Sequence, residues 1–357
     1  MIRRPPRSTL SPSSAASDVY KRQARGELIA VAKESLVMLL NTSGAELLSI
    51  DADGIIESLA IARNSIAIAS YTYDNGVRRW TMSFYDLKDG ELLSKHIFKL
   101  AKEGPVKESE GTFIYVPPPR AFLKADRAGE HLAAALGGSE GQLTLFDCRG
   151  SALWNCSLPH VMSLDFTVNG VAVGLGNGSL ILLNLKDGAV MWAVDLEAPI
   201  INVDASESGE YIAAATKDGV AYLICNGRIA WKLGGGAEKP YELYYDAAIS
   251  SNGRYAALAG THLAVVSSDG KVVFKIPIEE GKEITIERWL AASGNLTQIA
   301  ILTSMKTLNY YTFKFEESVE EAAQTLWQWH SLAMLIALAV AATLAICLWR
   351  IKVKQTG

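Results

Sequence analysis

The chain is dominated by short apolar runs whose alternation is typical of β-strands, and turn dipeptides separate these runs. Residues 201–233, INVDASESGEYIAAATKDGVAYLICNGRIAWKL, hold four runs of small, β-branched or aromatic residues divided by Ser-Gly, Asp-Gly and Asn-Gly. Asn-Gly and Asp-Gly suit tight hairpins, because glycine accepts a positive φ and Asx side chains hydrogen-bond to the local backbone. The segment is therefore predicted to form four antiparallel strands.

The same plan recurs along the chain at intervals of roughly forty residues. Residues 122–154 and 247–274 repeat it. One glycine per repeat precedes the inferred last strand: Gly44, Gly90, Gly150, Gly188, Gly227 and Gly270. Four antiparallel strands in about forty residues make one propeller blade. The sequence thus predicts an all-β fold, a β-propeller of about seven four-stranded blades over residues 24–315.

An aromatic residue follows the turn glycine by four positions in four of the repeats: Trp154, Trp192, Trp231 and Phe274. Leu48 and Ser94 stand at that position in the first two repeats. The second strands are rich in alanine, as in YIAAAT of residues 211–216, and small side chains allow blades to pack closely near a propeller centre. The aromatic residues are therefore expected at equivalent, buried positions further out, where blades splay apart.

The blades are expected at about residues 27–50, 55–98, 112–158, 161–197, 200–235, 243–278 and 284–315. The first and the last have room for three strands each. Residues 98–121 lengthen one interval with a charged run, an apolar run and three consecutive prolines. Such an insertion is either a solvated connector or, as on many repeat scaffolds, a binding surface.

Residues 1–23, MIRRPPRSTLSPSSAASDVYKRQ, are rich in Arg, Ser and Pro and lack strand or helix periodicity. The segment resembles a translated sequencing-adapter tail and is not expected to be native; a transit peptide is the alternative. On the first interpretation, the native residues at this place would supply a strand that closes the ring with the last blade.

Residues 331–349, SLAMLIALAVAATLAICLW, carry no charge and would span roughly 28 Å as a helix. Their length and apolarity predict a transmembrane helix, with Trp329 and Trp349 at its two interfaces. Three basic residues follow the span: Arg350, Lys352 and Lys354. The predicted helical linker before it, residues 316–330, is acidic. Since basic residues are enriched on the cytoplasmic side, residues 350–357 are expected to be a cytoplasmic tail and the propeller to lie outside the cytoplasm.

The charge balance argues against a nucleic-acid partner. The formal net charge is −4, and residues 1–23 hold five basic residues and one acidic residue, so the rest of the chain is more acidic still. An acidic surface repels a phosphate backbone. The sequence also shows no basic groove interleaved with aromatic residues.

Candidate catalytic and metal-binding residues are few. The four cysteines, Cys148, Cys156, Cys225 and Cys347, form no Cys-x-x-Cys, and the five histidines form no His-x-x-x-His. The cysteines are expected to be reduced or simply packed. No catalytic residue, metal site or cofactor is predicted.

The turn-Gly-x-x-x-Trp segments resemble the repeats of PQQ-dehydrogenase-like (quinoprotein-like) propellers, which include enzymes and non-enzymatic assembly and scaffold proteins. The resemblance covers most of residues 26–315. A WD40 propeller is less similar, since the Gly-His opening and Trp-Asp ending of that family are missing. In the quinoprotein enzymes adjacent cysteines stack on the quinone, and this chain has no adjacent pair. The resemblance therefore implies the scaffold without the redox chemistry.

These observations favour a single-pass membrane protein whose extracytoplasmic propeller binds a protein or cell-envelope partner and holds no cofactor. The alternative is a PQQ-type propeller enzyme, or a sensor that binds a small ligand in the central channel. Acidic, His or Arg side chains converging from several blades would favour that alternative.

Overall fold

The computed structural model describes residues 21–25, 28–74, 77–98, 104–109, 112–116, 120–139, 141–235, 242–278, 289–292, 294–296, 298–302 and 308–312. Over those residues the chain forms β-strands joined by turns. No helix, and so none that could cross a membrane, occurs in these ranges. The predicted helical linker 316–330, transmembrane segment 331–349 and basic tail 350–357 lie outside them.

The chain divides between Leu158 and Pro159 into two compact units. The first unit holds three four-stranded antiparallel sheets, here called blades I to III, and a two-stranded hairpin. Blade I is β1 (Lys21–Arg25), β2 (Leu28–Lys33), β3 (Leu36–Asn41) and β4 (Glu46–Asp51). Blade II is β5 (Ile55–Ile61), β6 (Ser65–Asp74), β7 (Val77–Asp86) and β8 (Leu92–Phe98). The hairpin is β9 (Gly104–Ser109) and β10 (Thr112–Val116). Blade III is β11 (Ala121–Ala125), β12 (His131–Leu136), β13 (Gln142–Asp147) and β14 (Ala152–Ser157).

The second unit holds blades IV to VII, of which the last has three strands in the part of the chain that is described. Blade IV is β15 (Val161–Phe166), β16 (Gly170–Leu175), β17 (Ser179–Asn184) and β18 (Val190–Asp195). Blade V is β19 (Ile200–Ala205), β20 (Tyr211–Thr216), β21 (Ala221–Cys225) and β22 (Arg228–Leu233). Blade VI is β23 (Tyr244–Ile249), β24 (Tyr255–Gly260), β25 (His262–Ser267) and β26 (Val272–Pro277). Blade VII is β27 (Trp289–Ala292), β28 (Gln298–Leu302) and β29 (Leu308–Thr312).

Asx-Gly turns join the strands where the sequence predicts them. Between β21 and β22 the two turn residues, Asn226 and Gly227, have φ values of 49° and 76°. Cys225 pairs with Arg228 directly across this turn. Two positive φ values in a two-residue loop match the twist of the flanking strands, and asparagine followed by glycine adopts them at low cost.

The second strands of blades II to VI are packed on both faces. In β20, Ala214 belongs to an apolar cluster with blade IV residues, whereas Ala213 and Ala215 belong to a cluster with blade VI residues. Alternate residues of a strand point to opposite faces of its sheet. Alanine at these positions therefore lets a neighbouring sheet approach from either side, which explains the alanine-rich second strands.

Two expectations about the strands are wrong. Blade I has four strands rather than three, because Lys21–Arg25 pairs with Leu28–Lys33. That first strand includes the last three residues of the segment 1–23, and residues 1–20 lie outside the described part of the chain. Blade III begins at Ala121, because Thr112–Val116 pairs with the preceding β9 in the hairpin and not with blade III.

Candidate functional site

The residue four positions after the turn glycine takes the same place in six blades. Trp154, Trp192, Trp231 and Phe274 lie on the fourth strands opposite Leu145, Leu182, Leu223 and Val265 of the third strands. Leu48 and Ser94 take this place in blades I and II, opposite Leu39 and Phe84. A β-bulge comes directly before the residue at this place, so the preceding residue of the fourth strand has no cross-strand partner.

Turn glycines of blades V and VI fit against the tryptophan of the preceding blade. Gly227 has a φ of 76°, and a Cβ atom there would lie 3.0 Å from Cγ of Trp192. Gly270 has a φ of 88° and lies against Trp231. The Trp231 Nε1 donates a hydrogen bond to the Ser267 carbonyl at 3.2 Å. Because both the backbone conformation and the contact exclude a side chain, the glycine–aromatic spacing joins one blade to the next.

Blades I to III keep this contact with other residue types. A Cβ atom at Gly90 would lie 3.0 Å from Leu48, and Gly150 lies against Ser94. The Ser94 hydroxyl donates to the Gly150 carbonyl at 3.3 Å, and Nε2 of His96 donates to the same carbonyl at 2.7 Å. The polar pair in blade II thus makes a hydrogen-bonded contact where the Trp192 ring makes an apolar one.

The predicted burial of the aromatic residues holds in part. Phe274 is buried, whereas Trp154, Trp192 and Trp231 are half-buried. Trp192 and Trp231 pack against apolar clusters shared with the next blade. Gly188, the turn glycine of blade IV, has a φ of 71°. Part of each tryptophan side chain therefore remains accessible to solvent or to a ligand.

Polar side chains on the first strands also join neighbouring blades, at the sheet edge opposite to the fourth strand. They accept hydrogen bonds from backbone amides of the next first strand: Ser58 from Leu123, Ser163 from Val203, Asn202 from Ala247 and Asp246 from Leu290. Two further carboxylates do the same, Asp165 with Ala205 and Asp204 with Ile249. First strands that lie side by side thus receive part of their hydrogen bonding from side chains.

Asp246 is one of two buried carboxyls of this set, Asp165 being the other. The Asp246 side chain accepts the Leu290 amide at 2.8 Å and the Ala247 amide at 3.0 Å. Burial raises the pKa of Asp246 to about 7, against the lowering effect of the two amides. The group therefore takes up a proton near neutral pH, which sets it apart from a surface carboxylate.

A second polar cluster lies in blade VI. The buried carboxylate of Glu242 accepts a hydrogen bond from the Tyr244 hydroxyl at 3.0 Å and pairs with Lys275 Nζ at 2.6 Å. Burial, helped by Glu242, raises the pKa of Tyr244 above its usual range. Burial and then the charge of Lys275 lower the pKa of His262, while Glu242 opposes them. The ion pair of Glu242 with Lys275 fastens β26 to the segment before β23.

The described residues offer few groups that could support redox or metal chemistry. Among them, no group of three or more His, Cys, Asp or Glu could hold a metal ion. Cys148, Cys156 and Cys225 are free thiols, and burial raises the pKa of Cys156. Since no two cysteines are adjacent in the sequence, the chain does not provide the pair on which a quinone would stack.

A cavity of about 410 Å³ lies between blades IV and V. Trp192 and Met191 form much of its apolar wall, and turn residues bring polar groups to it: Asn169, Ser208, Glu210 and Asn226. The charge of Glu210, more than that of Cys225, raises the pKa of the neighbouring Tyr211. Apolar surface beside several hydrogen-bonding groups is typical of a ligand site. The sequence marked Trp192 as a repeat position, but it gave no sign that these polar turn residues lie together beside it.

The predicted membrane-anchor residues lie outside the described part of the chain: Trp329, Trp349, Arg350, Lys352 and Lys354. Each of the four predicted glycine–aromatic pairs begins in a turn and ends on a fourth strand: Gly150 with Trp154, Gly188 with Trp192, Gly227 with Trp231 and Gly270 with Phe274.

Comparison with solved structures identifies the fold. The chain is similar to the β-propeller domain of Myceliophteria thermophila Cps50 (Swd1), with a TM-score of 0.57 and 14% identity, over 84% of this chain and 97% of that chain. It is also similar to Kluyveromyces lactis Hsv2, with a TM-score of 0.58 and 12% identity, over 86% and 97%. At these identities the likeness shows the propeller fold alone.

Comparison with sequences identifies the family. No curated protein sequence matches the chain. The family model PQQ_2, described as outer membrane protein assembly factor BamB, matches residues 132–313. That segment includes all four glycine–aromatic copies and makes up more than half of the 357 residues. The chain therefore belongs to this BamB-like family of PQQ-type repeats, and its fold is a β-propeller.

Proposed function

We propose that the protein is a membrane-anchored scaffold whose propeller lies outside the cytoplasm and binds a protein or cell-envelope partner. Membership of a family described as an outer membrane protein assembly factor supports a role in holding other proteins. The uncharged segment 331–349 and the basic residues after it support an anchor with a cytoplasmic C-terminus.

Exposed apolar residues on the fourth strands carry the proposal. The bulged residue just before the aromatic position is Leu47 in blade I, Leu153 in blade III and Met191 in blade IV, and these side chains are 53%, 50% and 49% exposed. Single exposed apolar residues are common, but recurrence at one structural position of several blades is not explained by packing. Apolar side chains of this kind supply the anchors of protein interfaces.

In this role the chain binds other molecules and catalyses no reaction. Its cysteines are not adjacent, and its repeated aromatic residues are used to join blades rather than to surround a cofactor. The propeller thus serves as a rigid support for binding surfaces.

Site-specific photo-crosslinking tests the scaffold role. A benzophenone amino acid would replace Leu153, Met191 or Ile229, one at a time, in the full chain in its native membranes. Ile229 is an exposed apolar residue on the fourth strand of blade V. Lys217, exposed in the turn after β20, is the control position. We expect an adduct of one discrete mass from at least one fourth-strand position and none from Lys217. Absence of any adduct at all three positions, or equal adducts at all four, would refute the scaffold role.

A further inference from the structure

The sequence contains four Asn-x-Ser/Thr motifs, the acceptor motif for N-linked glycans in chains that lie outside the cytoplasm. Their asparagines are Asn41, Asn155, Asn177 and Asn295. The glycan is attached to the side-chain nitrogen, Nδ2. Because the motif requires Ser or Thr at its third position, the transferring enzyme must reach that hydroxyl as well. A motif can therefore be used in the folded domain only where both groups are accessible.

The motif of Asn177 meets this condition in blade IV. It lies in the turn between β16 and β17, where Asn177 is exposed. The Asn177 Oδ1 accepts a hydrogen bond from the Ser179 backbone amide at 3.0 Å. Within the described ranges, no hydrogen bond engages the Asn177 Nδ2 or the Ser179 hydroxyl. The turn thus holds the asparagine by its oxygen alone, and a substituent on Nδ2 breaks no hydrogen bond.

The other two motifs that the structure describes in full are less accessible. Asn41 is half-buried, and its Oδ1 accepts the Ser43 hydroxyl at 2.6 Å, so the hydroxyl that the enzyme needs is bound within the motif. Asn155 lies within β14 and pairs with Thr144 of β13, so its motif is part of a strand ladder. Among these three motifs, the geometry favours Asn177.

The position of the Asn177 turn decides which end of blade IV a glycan would cover. Successive strands of the blade are antiparallel, so the turn between the second and third strands lies at one end and the other two turns lie at the opposite end. Asn169 lies in one of those two turns, and the exposed Met191 is the second residue after the other. A glycan on Asn177 would therefore project from the end of the blade that is remote from Met191.

We propose that Asn177 is N-glycosylated. Its Nδ2 attacks the anomeric carbon of an oligosaccharide that is linked to a lipid through phosphate. A bond from Nδ2 to that carbon forms, the bond from the carbon to the phosphate oxygen breaks, the lipid phosphate leaves, and Nδ2 loses one proton. The proposal rests on the proposed location outside the cytoplasm. The bulky, hydrophilic glycan keeps other proteins away from its end of blade IV, so a partner that binds Met191 approaches from the opposite end.

Mass spectrometry of peptides from the full chain, purified from its native membranes, tests the modification. Asn177→Gln and Ser179→Ala each destroy the motif, but they remove different groups. Ser179→Ala keeps the asparagine and the backbone amide that holds it, so only the hydroxyl needed for the transfer is lost. Ser179→Thr keeps a hydroxyl at the third position and is the matched control. Thermal unfolding would verify that all variants are folded.

We expect the peptide with Asn177 to carry a glycan in the wild type and in Ser179→Thr, and to lose it in Asn177→Gln and Ser179→Ala. The peptide with Asn155 should be unmodified in every one of these proteins. An unmodified Asn177 in the wild type, an adduct that survives Ser179→Ala, or equal modification of Asn155 would overturn the proposal.

Protease added to intact cells separates this failure from a failure of the proposed location. If the protease degrades the propeller and Asn177 is unmodified, the glycosylation proposal is overturned and the location stands. If the propeller is protected until lysis and Asn177 is unmodified, the location is wrong and the glycosylation proposal fails with it.

Discussion

Replacing Asp246 by asparagine is expected to remove a pH dependence from the free energy of unfolding. The Asp246 carboxyl is buried, and its pKa is raised from 3.8 to about 7 in the folded protein. Between these two values the folded chain binds more protons at this site than the unfolded chain does. The stabilising contribution of this group to the free energy of unfolding is therefore fully present below about pH 4 and is lost as the pH rises to about 7.

The size of the effect follows from the shift. A change of about three pKa units corresponds to roughly 4 kcal/mol of unfolding free energy. Asn202 accepts a backbone amide from blade VI in the same way as Asp246 accepts one from blade VII, which shows that a neutral amide can make this contact. Asp246→Asn should therefore keep the hydrogen bond to Leu290 and lose only the titration.

The assay is urea unfolding of the full chain in mild detergent, followed by tryptophan fluorescence from pH 4 to pH 8. The difference between wild type and Asp246→Asn should change by up to about 4 kcal/mol across this range, because other titrating groups are common to both. Asp204→Asn, which retains Asp246, is the control and should keep that contribution. A difference that stays constant with pH would refute the assignment of a buried, protonated carboxyl.

Three further outcomes follow from contacts and from the topology. Trp231→Ala should lower the unfolding free energy by about 3 kcal/mol and Trp231→Phe by about 1 kcal/mol, because phenylalanine keeps the ring but loses the bond to Ser267; equal losses in urea unfolding would contradict that role of the indole nitrogen. Gly253→Ala should cost about 1 to 3 kcal/mol because of its φ of 71° and its contact with Tyr211. In a double-mutant cycle, adding Tyr211→Ala to Gly253→Ala should recover the part of this loss that comes from the clash with the ring. If the free-energy changes of the two substitutions simply add, there is no such clash. Protease added to intact cells should degrade residues 26–315 and spare the basic tail, whereas full protection until lysis would place the propeller in the cytoplasm.

The local turn chemistry explains why blades IV to VI were predicted within a few residues. Dipeptides such as Asn226-Gly227 determine the hairpin by themselves, and strand alternation on either side is visible in the sequence. The strand Lys21–Arg25 carries no such pattern. It forms a strand because its backbone pairs with β2. Thr112–Val116 was predicted as an apolar strand of blade III, but apolar character does not select the partner strand.

The cavity could not be predicted from the sequence for a related reason. Its lining residues come from separate strands and turns of blades IV and V, and only the fold brings the polar ones beside Trp192. The same holds for Asp246, which is one acidic residue among many until the next first strand is placed beside it. Both features depend on contacts between repeats, whereas the sequence pattern describes each repeat separately.

The bulges on the fourth strands have a consequence for association between molecules. Each of these strands lies at the edge of its sheet and exposes apolar side chains, a combination that invites pairing with the edge of another copy. A bulge interrupts the regular spacing of amide and carbonyl groups and increases the local twist. An approaching flat strand can then form only a few consecutive hydrogen bonds, so growth into an extended intermolecular sheet is blocked. The apolar residue at the bulge remains available to bind side chains of another protein without making the blade a template for fibres.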